Sequence, residues 1–376
     1  MTIDYNKLKV LINLPNLCHN FQVFRKRFDR VIPVIKSDAY GHGLAEVSRA
    51  LNSEGVDTFA VGFVSEAVHL RQSGCDKRIL ALLGPVDESD VQALWQHRIL
   101  TAISHKDQLR KVAKAAEDNG PLDICLKFDT GMRRLGFRLE SLPELIAFMK
   151  ESKLTPVMAT SHLVSADEPD SKMNVEAQAI KFRGMIAGLR EAGYDVEANL
   201  ANSAGSLAHE LCHMDSLRLG IALYGGNPFH GTKWEDVGRE LKPAMDVSAP
   251  VMQVHSLAKG EGISYGWTYT AERDSVVAII GTGYADGYSR SLSNSGFMNI
   301  KGHRVPIRGR VCMQMTAVDV TELMSEGLGV VAGDEAFLLG GPGPGAILPD
   351  DLAGWWDTIT YEVFCLLGMN RREYIR

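Results

Sequence analysis

At 376 residues the chain is too long for one ordinary domain and suits a barrel of roughly 250 residues with a smaller partner. Its residues are 45% hydrophobic and 23% charged, with a formal net charge of −6, a globular composition that argues against nucleic acid as the main partner. No apolar run approaches the roughly 20 residues of a membrane-spanning helix, and the opening MTIDYNKLKV alternates instead of forming a signal-peptide core, so no membrane partner and a cytoplasmic address are expected.

From about residue 10 to residue 235, short apolar runs alternate with longer amphipathic segments, the rhythm of parallel strands joined by helical crossovers. Strands are expected at 31–35, 58–63, 79–83, 101–103, 122–128, 156–161, 197–200 and 216–219. Eight such units favour a (β/α)8 TIM-type barrel over a doubly wound sheet. The intervening segments, 141–150 and 175–192 among them, carry apolar residues at helical spacing.

After Gly226 the rhythm changes: β-branched runs at 245–257, 275–281, 297–300, 305–307 and 316–320 predict a mostly antiparallel β domain. The expected division is a barrel over 1–238 and a β domain over 239–376. The glycine-rich stretch GGPGPGAILP at 340–349 lacks the Gly-Lys-Ser/Thr ending of a phosphate loop and reads as a surface turn. The six cysteines stand singly among apolar neighbours, with no Cys-x-x-Cys pair, and are read as mostly buried thiols.

The stretch VIPVIKSDAYGHG places Lys36 at the end of the first expected strand, on the face where barrel enzymes keep their chemistry. A lysine there is ordinarily a surface residue; buried, it must lose its proton readily or bond to a carbonyl compound as an imine. Pro33 weakens that strand, because proline removes a ladder donor. Other strand ends, LKFDTGMRRLG, TSHLVSADE, LANSAG and SLRLGIALYG, bring polar side chains and exposed amides to the same rim. Gly220, Ile221 and Ser203 offer N–H and O–H donors that suit a phosphate. A lysine-bound carbonyl compound with a phosphate handle is pyridoxal 5'-phosphate.

Taken in order, VIKSDAYGHG, KFDTGMRRLGF, SHLVSADE, ANSAG, LRLGIALYG, SYGWTYTA, GTGYADGYSR, GRVCMQMTAVDV and TITYEV span nearly the whole chain, and the series resembles that of bacterial alanine racemases. Those are pyridoxal-phosphate enzymes with an N-terminal barrel and a C-terminal β domain. The resemblance implies interconversion of L- and D-alanine for peptidoglycan synthesis by a homodimer, with the barrel holding the cofactor and the β domain completing the partner's site. Lys36 would carry the cofactor and act as the acid/base on one face of the substrate; Tyr265, from the other subunit, would act on the opposite face. Tyr40, Asn202, Ser203, Gly220, Ile221 and Tyr361 would surround the phosphate, His162 would lie near the cofactor ring, and Arg218 would face its nitrogen. An arginine there keeps its proton and donates a hydrogen bond.

Arg134 and Met313 would hold the substrate carboxylate, and Asp167, Tyr284 and Arg290 would line its approach. Lys127 corresponds to a lysine often carbamylated in the family, which turns a repelling pair of cations into an attracting one. Tyr361 would leave room for a methyl side chain and crowd larger ones.

The chain departs from the family pattern at Gln314, usually Asp, at Asn199, often His, and at Arg133, often Gly. The first two leave the reaction class intact and bear on substrate range and pH dependence. HELCH, at 209–213, matches a short zinc-protease pattern, but no third ligand motif follows, and it is read as the exposed end of a barrel helix with no metal. Two alternatives remain at this point: a serine or broad-range racemase of the same fold, and a non-catalytic pyridoxal-phosphate carrier, which would have no use for Tyr265, Met313 or the β domain.

Overall fold

The computed structural model describes residues 6–376; part of the alternating opening segment, residues 1–5, lies outside them. The first strand, Lys9–Asn13 (β1), is followed by eight parallel barrel strands: Val31–Pro33 (β2), Thr58–Val61 (β3), Arg78–Ala81 (β4), Leu100–Ile103 (β5), Leu122–Lys127 (β6), Leu154–Thr160 (β7), Glu197–Asn199 (β8) and Leu217–Leu219 (β9). β3 to β8 form one continuous ladder, and β2 pairs with β9. Single bridges, Val34 to Ala60 and Asn199 to Ser216, close the cylinder. Each of the eight expected runs overlaps one of these strands; those such as TFAV in β3 are buried at every position and read as short apolar stretches.

Pro33 finds a physical reason at one of those closures. Val34 N–H donates to Leu219 O and Ile35 N–H to Ala60 O, each at 2.8 Å. Alternation along the strand therefore turns the Pro33 nitrogen toward β3, where the ladder has shrunk to a single bridge. The missing N–H falls where the sheet asks for no donor.

The second domain contains Met245–Leu257 (β10), Gly262–Ile263 (β11), Tyr269–Thr270 (β12), Ser275–Ile280 (β13), Phe297–Ile300 (β14), His303–Pro306 (β15), Thr316–Asp319 (β16), Glu335–Leu339 (β17) and Arg372–Ile375 (β18). Its main sheet runs β15-β14-β17-β10-β1-β18, with β13 and β16 continuing from the far half of β10. β1 joins β10 antiparallel, Lys9 opposite Ser248, and β18 parallel, Val10 opposite Arg372. The first described strand thus belongs to the β domain's sheet, whereas the sequence reading assigned all of residues 1–238 to the barrel. One contiguous apolar core runs from Leu8 to Leu367 through both domains.

The glycine-rich stretch closes on itself through mutual bonds between Gly340 and Ile347, 2.8 and 2.9 Å. HELCH is not an exposed helix end: Glu210–Cys212 form a 3-10 turn, and His209 and Cys212 are buried. His209 and His213 each place Nε2 against a backbone carbonyl, of Ala166 at 3.0 Å and Gly205 at 3.1 Å. Cys125 and Cys212 are fully buried and the other four thiols are partly so. Among the described residues no helix is long and apolar enough to cross a membrane.

Candidate active site

At the C-terminal ends of the barrel strands lies a cavity of about 340 Å³, lined by Lys36, Tyr40, Lys127, Arg134, His162, Asn202, Ser203, Arg218, Gly220, Ile221 and Tyr361, with Val34, Gly62, Leu82, Leu83 and Leu135 forming its apolar wall. The eleven polar and rim residues come from six separated motifs. The four charged side chains among them, Lys36, Lys127, Arg134 and Arg218, are all cationic, and no Asp or Glu lines the space. Such a cavity attracts an anion and repels a free cation.

Arg218 leaves β9 buried in the barrel. Its guanidinium donates to Thr160 Oγ1, to Asn199 Oδ1 and O, and to the carbonyls of Ser161 and Leu200. Asn199 is itself held by Ser216 Oγ, 2.8 Å from its Nδ2. These partners are all neutral oxygens. Burial pushes Arg218 down to about 10, which leaves it protonated at neutral pH; the oxygens orient its charge without cancelling it. His162, whose Nδ1 is 3.5 Å from Arg218, is pushed well below the usual imidazole range by burial and by that arginine, so it is neutral.

Lys127 ends β6 inside the same cluster. Burial, reinforced by Arg218 and Arg134, pushes its amine down to about 7. Lys36 is also lowered, first by the protein packed around it and then by Arg134, with Glu66 opposing. Lys36 is exposed at the cavity rim, where solvent weakens the effect of packing, and the cationic neighbours Arg134 and Arg218 act in the same downward direction.

Ser203, Gly220 and Tyr40 form a cradle. Ser203 Oγ accepts from Gly220 N–H at 3.0 Å and Ala222 N–H at 3.3 Å. A Cβ at position 220 would stand 2.9 Å from the Tyr40 hydroxyl and 3.9 Å from Ser203 Oγ, so the space that glycine leaves is enclosed by O–H and N–H donors. Asn202 Oδ1 caps the helix Ser203–Ala208 through Gly205 N–H, 2.9 Å. The Tyr40 ring stacks on Tyr224, centroids 4.7 Å apart, and lies 5.9 Å from Tyr361. A phosphate with a carbonyl-bearing ring fits this donor set: small donors at one end, the Lys36 amine within the cavity and Arg218 beneath it.

The turn that carries Lys36 and Tyr40 is left-handed. Ser37, Asp38, Ala39 and Tyr40 have φ of 53°, 53°, 56° and 54°, a conformation that costs non-glycine residues about 1–2 kcal/mol each. Nothing in Ser-Asp-Ala-Tyr signals it. Glu66 and Thr160, which pack behind the cavity wall, were also missed; Glu66 is legible only as an acid in the first turn of the helix Val64–Gln72.

Five expected site residues do not line this cavity. Asp167 is exposed on the loop after β7, within electrostatic reach of Tyr361. The other four share one face of the β domain. Ser264, beside Tyr265, donates to Arg310 O at 2.6 Å; Tyr284 N–H donates to Cys312 O at 3.0 Å; Val311 N–H donates to Ser293 Oγ, beyond Arg290, at 3.0 Å. The loops of Tyr265, Tyr284, Arg290 and Met313 are thereby tied together, yet Tyr265 is 72% and Met313 57% exposed.

The comparisons with known proteins agree with this architecture. Residues 12–228 match the family model "Alanine racemase, N-terminal domain" and residues 244–374 match "Alanine racemase, C-terminal domain". The chain is 50% identical to an alanine racemase of Nitratidesulfovibrio vulgaris (strain DSM 19637 / Miyazaki F) over all of both chains. It is 43% identical to that of Lawsonia intracellularis over 96% of this chain and 95% of the relative. Among solved structures it superposes on an alanine racemase from D-cycloserine-producing Streptomyces lavendulae with a TM-score of 0.90 at 31% identity, covering 100% and 98% of the two chains. An alanine racemase from Bartonella henselae with covalently bound pyridoxal phosphate gives 0.86 at 27% identity, covering 98% and 99%. A cavity of cations and phosphate-sized donors at the mouth of a (β/α)8 barrel, a β domain behind it and these matches over both domains lead to one assignment: the chain belongs to the alanine racemase family, isomerases that depend on pyridoxal phosphate.

Proposed function

We propose that the chain interconverts L- and D-alanine with pyridoxal 5'-phosphate held on Lys36. One observation carries the reading: eleven residues from separate motifs converge on a single cavity whose charged groups are all cations. When bound, the cofactor accepts electron density from the substrate's Cα and so makes its α-proton removable.

The chain's own residues do the rest. Gly220, Ile221, Ser203 and Tyr40, with Asn202 and Tyr361 beside them, supply the phosphate end. Arg218, held by neutral oxygens, would donate to the ring nitrogen and keep its proton, so the ring would draw in less charge than a protonated one. Arg134 attracts the substrate carboxylate, and His162 stays neutral beside the ring. The lowered Lys36 amine takes up and returns the α-proton on one face. Burial and the neighbouring arginines lower the Lys127 amine, so near neutral pH a larger fraction of it is unprotonated than of an ordinary lysine. Its nitrogen can therefore attack carbon dioxide, forming an N–C bond and releasing a proton, and the resulting carbamate anion would brace Arg134.

Tyr265 serves the second face from another copy of the chain. Its exposure, with that of Met313 and Trp267, supports a homodimer in which the β-domain loops of one copy complete the other's cavity. Met313 N–H would meet the carboxylate there, while Asp167, Tyr284 and Arg290 line the approach. A cytoplasmic supply of D-alanine for peptidoglycan is the role this reading implies.

The test incubates the purified protein with L-alanine, L-serine and L-lysine separately in heavy water and follows α-proton exchange and D-isomer formation. D-alanine should accumulate fastest. Exchange on none of the three would end the racemase reading, and D-serine formed as fast as D-alanine would replace it with a broad-range racemase.

A further inference from the structure

The left-handed turn after Lys36 needs something to hold it, and one side chain does so from outside the cavity. Glu66 Oε1 accepts the Ser37 N–H at 2.6 Å. Its other oxygen accepts Gly62 N–H at 2.6 Å and Phe63 N–H at 3.1 Å. A single carboxylate thus joins the first residue of the strained turn to the end of β3. It also packs beside the lysine stem: a Cβ at position 62 would be 2.8 Å from Glu66 Oε2 and 3.6 Å from Lys36 Cβ.

At the far end of the turn, Arg372 of β18 binds the Asp38 carboxylate and Gly41 O, and Asp38 accepts Leu44 N–H at 2.7 Å. The lysine end has Glu66. The N-terminal cap of the helix Val64–Gln72 accounts for the Gly62 and Phe63 bonds. It does not account for the bond to Ser37, which belongs to another segment of the barrel rim.

We propose that Glu66 is a positioning residue for Lys36: by bonding Ser37 on one oxygen and residues 62–63 on the other, it locks the left-handed turn against β3 and fixes how the lysine enters the cavity. The proposal rests on Lys36 being the cofactor-bearing lysine. The groups that face Lys36 are Arg134 from the loop after β6, Arg218 from β9, Lys127 from β6, His162 from the loop after β7, Tyr40 from the turn itself, and Tyr361 and Cys365 from the helix Thr360–Leu367. Glu66 opposes the arginines there. Its replacement by an amide removes that charge and turns an NH2 group toward backbone N–H donors.

The experiment uses loaded protein as wild type, Glu66→Gln and Glu66→Asp. Borohydride reduction and peptide mass locate the cofactor. Its absorbance is titrated with pH, its loss on dialysis is timed and the thermal midpoint is recorded. Glu66→Gln should lower the absorbance midpoint by about half a pH unit and speed cofactor loss several-fold. Glu66→Asp, one methylene shorter with its charge kept, should speed loss while moving the midpoint less. Wild-type retention and midpoint in both variants, with only the melting temperature reduced, would make Glu66 a helix cap and overturn the proposal. If Glu66→Gln fails to fold, wild-type retention in Glu66→Asp overturns it equally. Cofactor on a lysine other than Lys36 in the wild-type protein would withdraw both the Lys36 reading and this inference, whereas label on Lys36 with unaltered variants removes this inference alone.

Discussion

Lys127→Met isolates the cost of enclosing an amine among arginines. The folded protein lowers the Lys127 amine from 10.5 to about 7, a difference of about 3.5 units, which at about 1.36 kcal/mol per unit sets an upper bound of about 5 kcal/mol. Lys127 is only partly buried and solvent screens part of the penalty, so about half that figure is taken. Well below pH 7 the amine is protonated in both folded and unfolded chains, and the folded state bears the whole penalty. Between about 7 and 10.5 the folded amine has lost its proton while the unfolded one retains it, so stability gained from the unprotonated form rises with pH. Above 10.5 both are neutral and the penalty is gone. Methionine, close in volume and never charged, should therefore stabilise the cofactor-free protein most at pH 6 and progressively less toward pH 10. With an unfolding entropy of about 2.1 cal/mol/K per residue, about 2.5 kcal/mol is a rise of about 3 °C. Thermal melts of both proteins in carbon-dioxide-free buffer from pH 6 to pH 9.5 measure it. Bicarbonate should then raise the wild-type midpoint and leave the variant's unchanged. A variant less stable at pH 6, or a difference that ignores pH, would refute the reasoning.

Gly220→Ala puts a methyl 2.9 Å from the Tyr40 hydroxyl and should weaken phosphate retention about tenfold, about 1.4 kcal/mol, as read by equilibrium titration of cofactor absorbance; unchanged affinity would remove the cradle from the phosphate site. Arg218→Lys keeps one charge but loses the fork that meets Thr160, Asn199 and Ser161 together. Proton exchange should slow at least about tenfold, and near-normal exchange would return Arg218 to a purely structural role. Gly43→Ala combines φ of +95° with a Cβ 2.2 Å from the Tyr374 hydroxyl, whereas Gly55, at φ +80°, meets open space. The first substitution should cost about 2 kcal/mol more than Gly55→Ala in urea unfolding; equal costs would deny that β18 braces the turn.

The barrel was legible because its strands are short apolar runs, such as TFAV in β3, set between turn residues and buried on both faces. β1 and β18 were not, because their pairing joins the two ends of the chain and each is short and partly exposed. Long β10 read correctly from its β-branched pattern, but the interruption at β11 and β12 carries only two residues a strand. Within the site, the sequence reading and the family resemblance together pointed to Lys36, Arg218 and the glycine cradle, which line one cavity. The left-handed turn had no such signal, since three ordinary residues and a tyrosine adopt it under the hold of Glu66, Asp38 and Arg372. Tyr265 and Met313 could be named from the motif series, whose resemblance also implies that Tyr265 serves another subunit; in the structure neither lines its own chain's cavity, and their loops are tied through Arg310 and Cys312.

That separation makes mixing two inactive variants the most direct test. On the proposed reading Lys36→Ala removes the cofactor-bearing lysine and Tyr265→Ala the opposite base, so each variant alone should be inactive. After the two are unfolded together and refolded, random pairing yields heterodimers as half the population, each with one doubly altered site and one intact site. Alanine racemisation should return to about a quarter of the wild-type rate. Recovery of none, with heterodimers shown to form, would mean that each chain builds its site alone and would contradict a cavity completed by Tyr265 of a second copy.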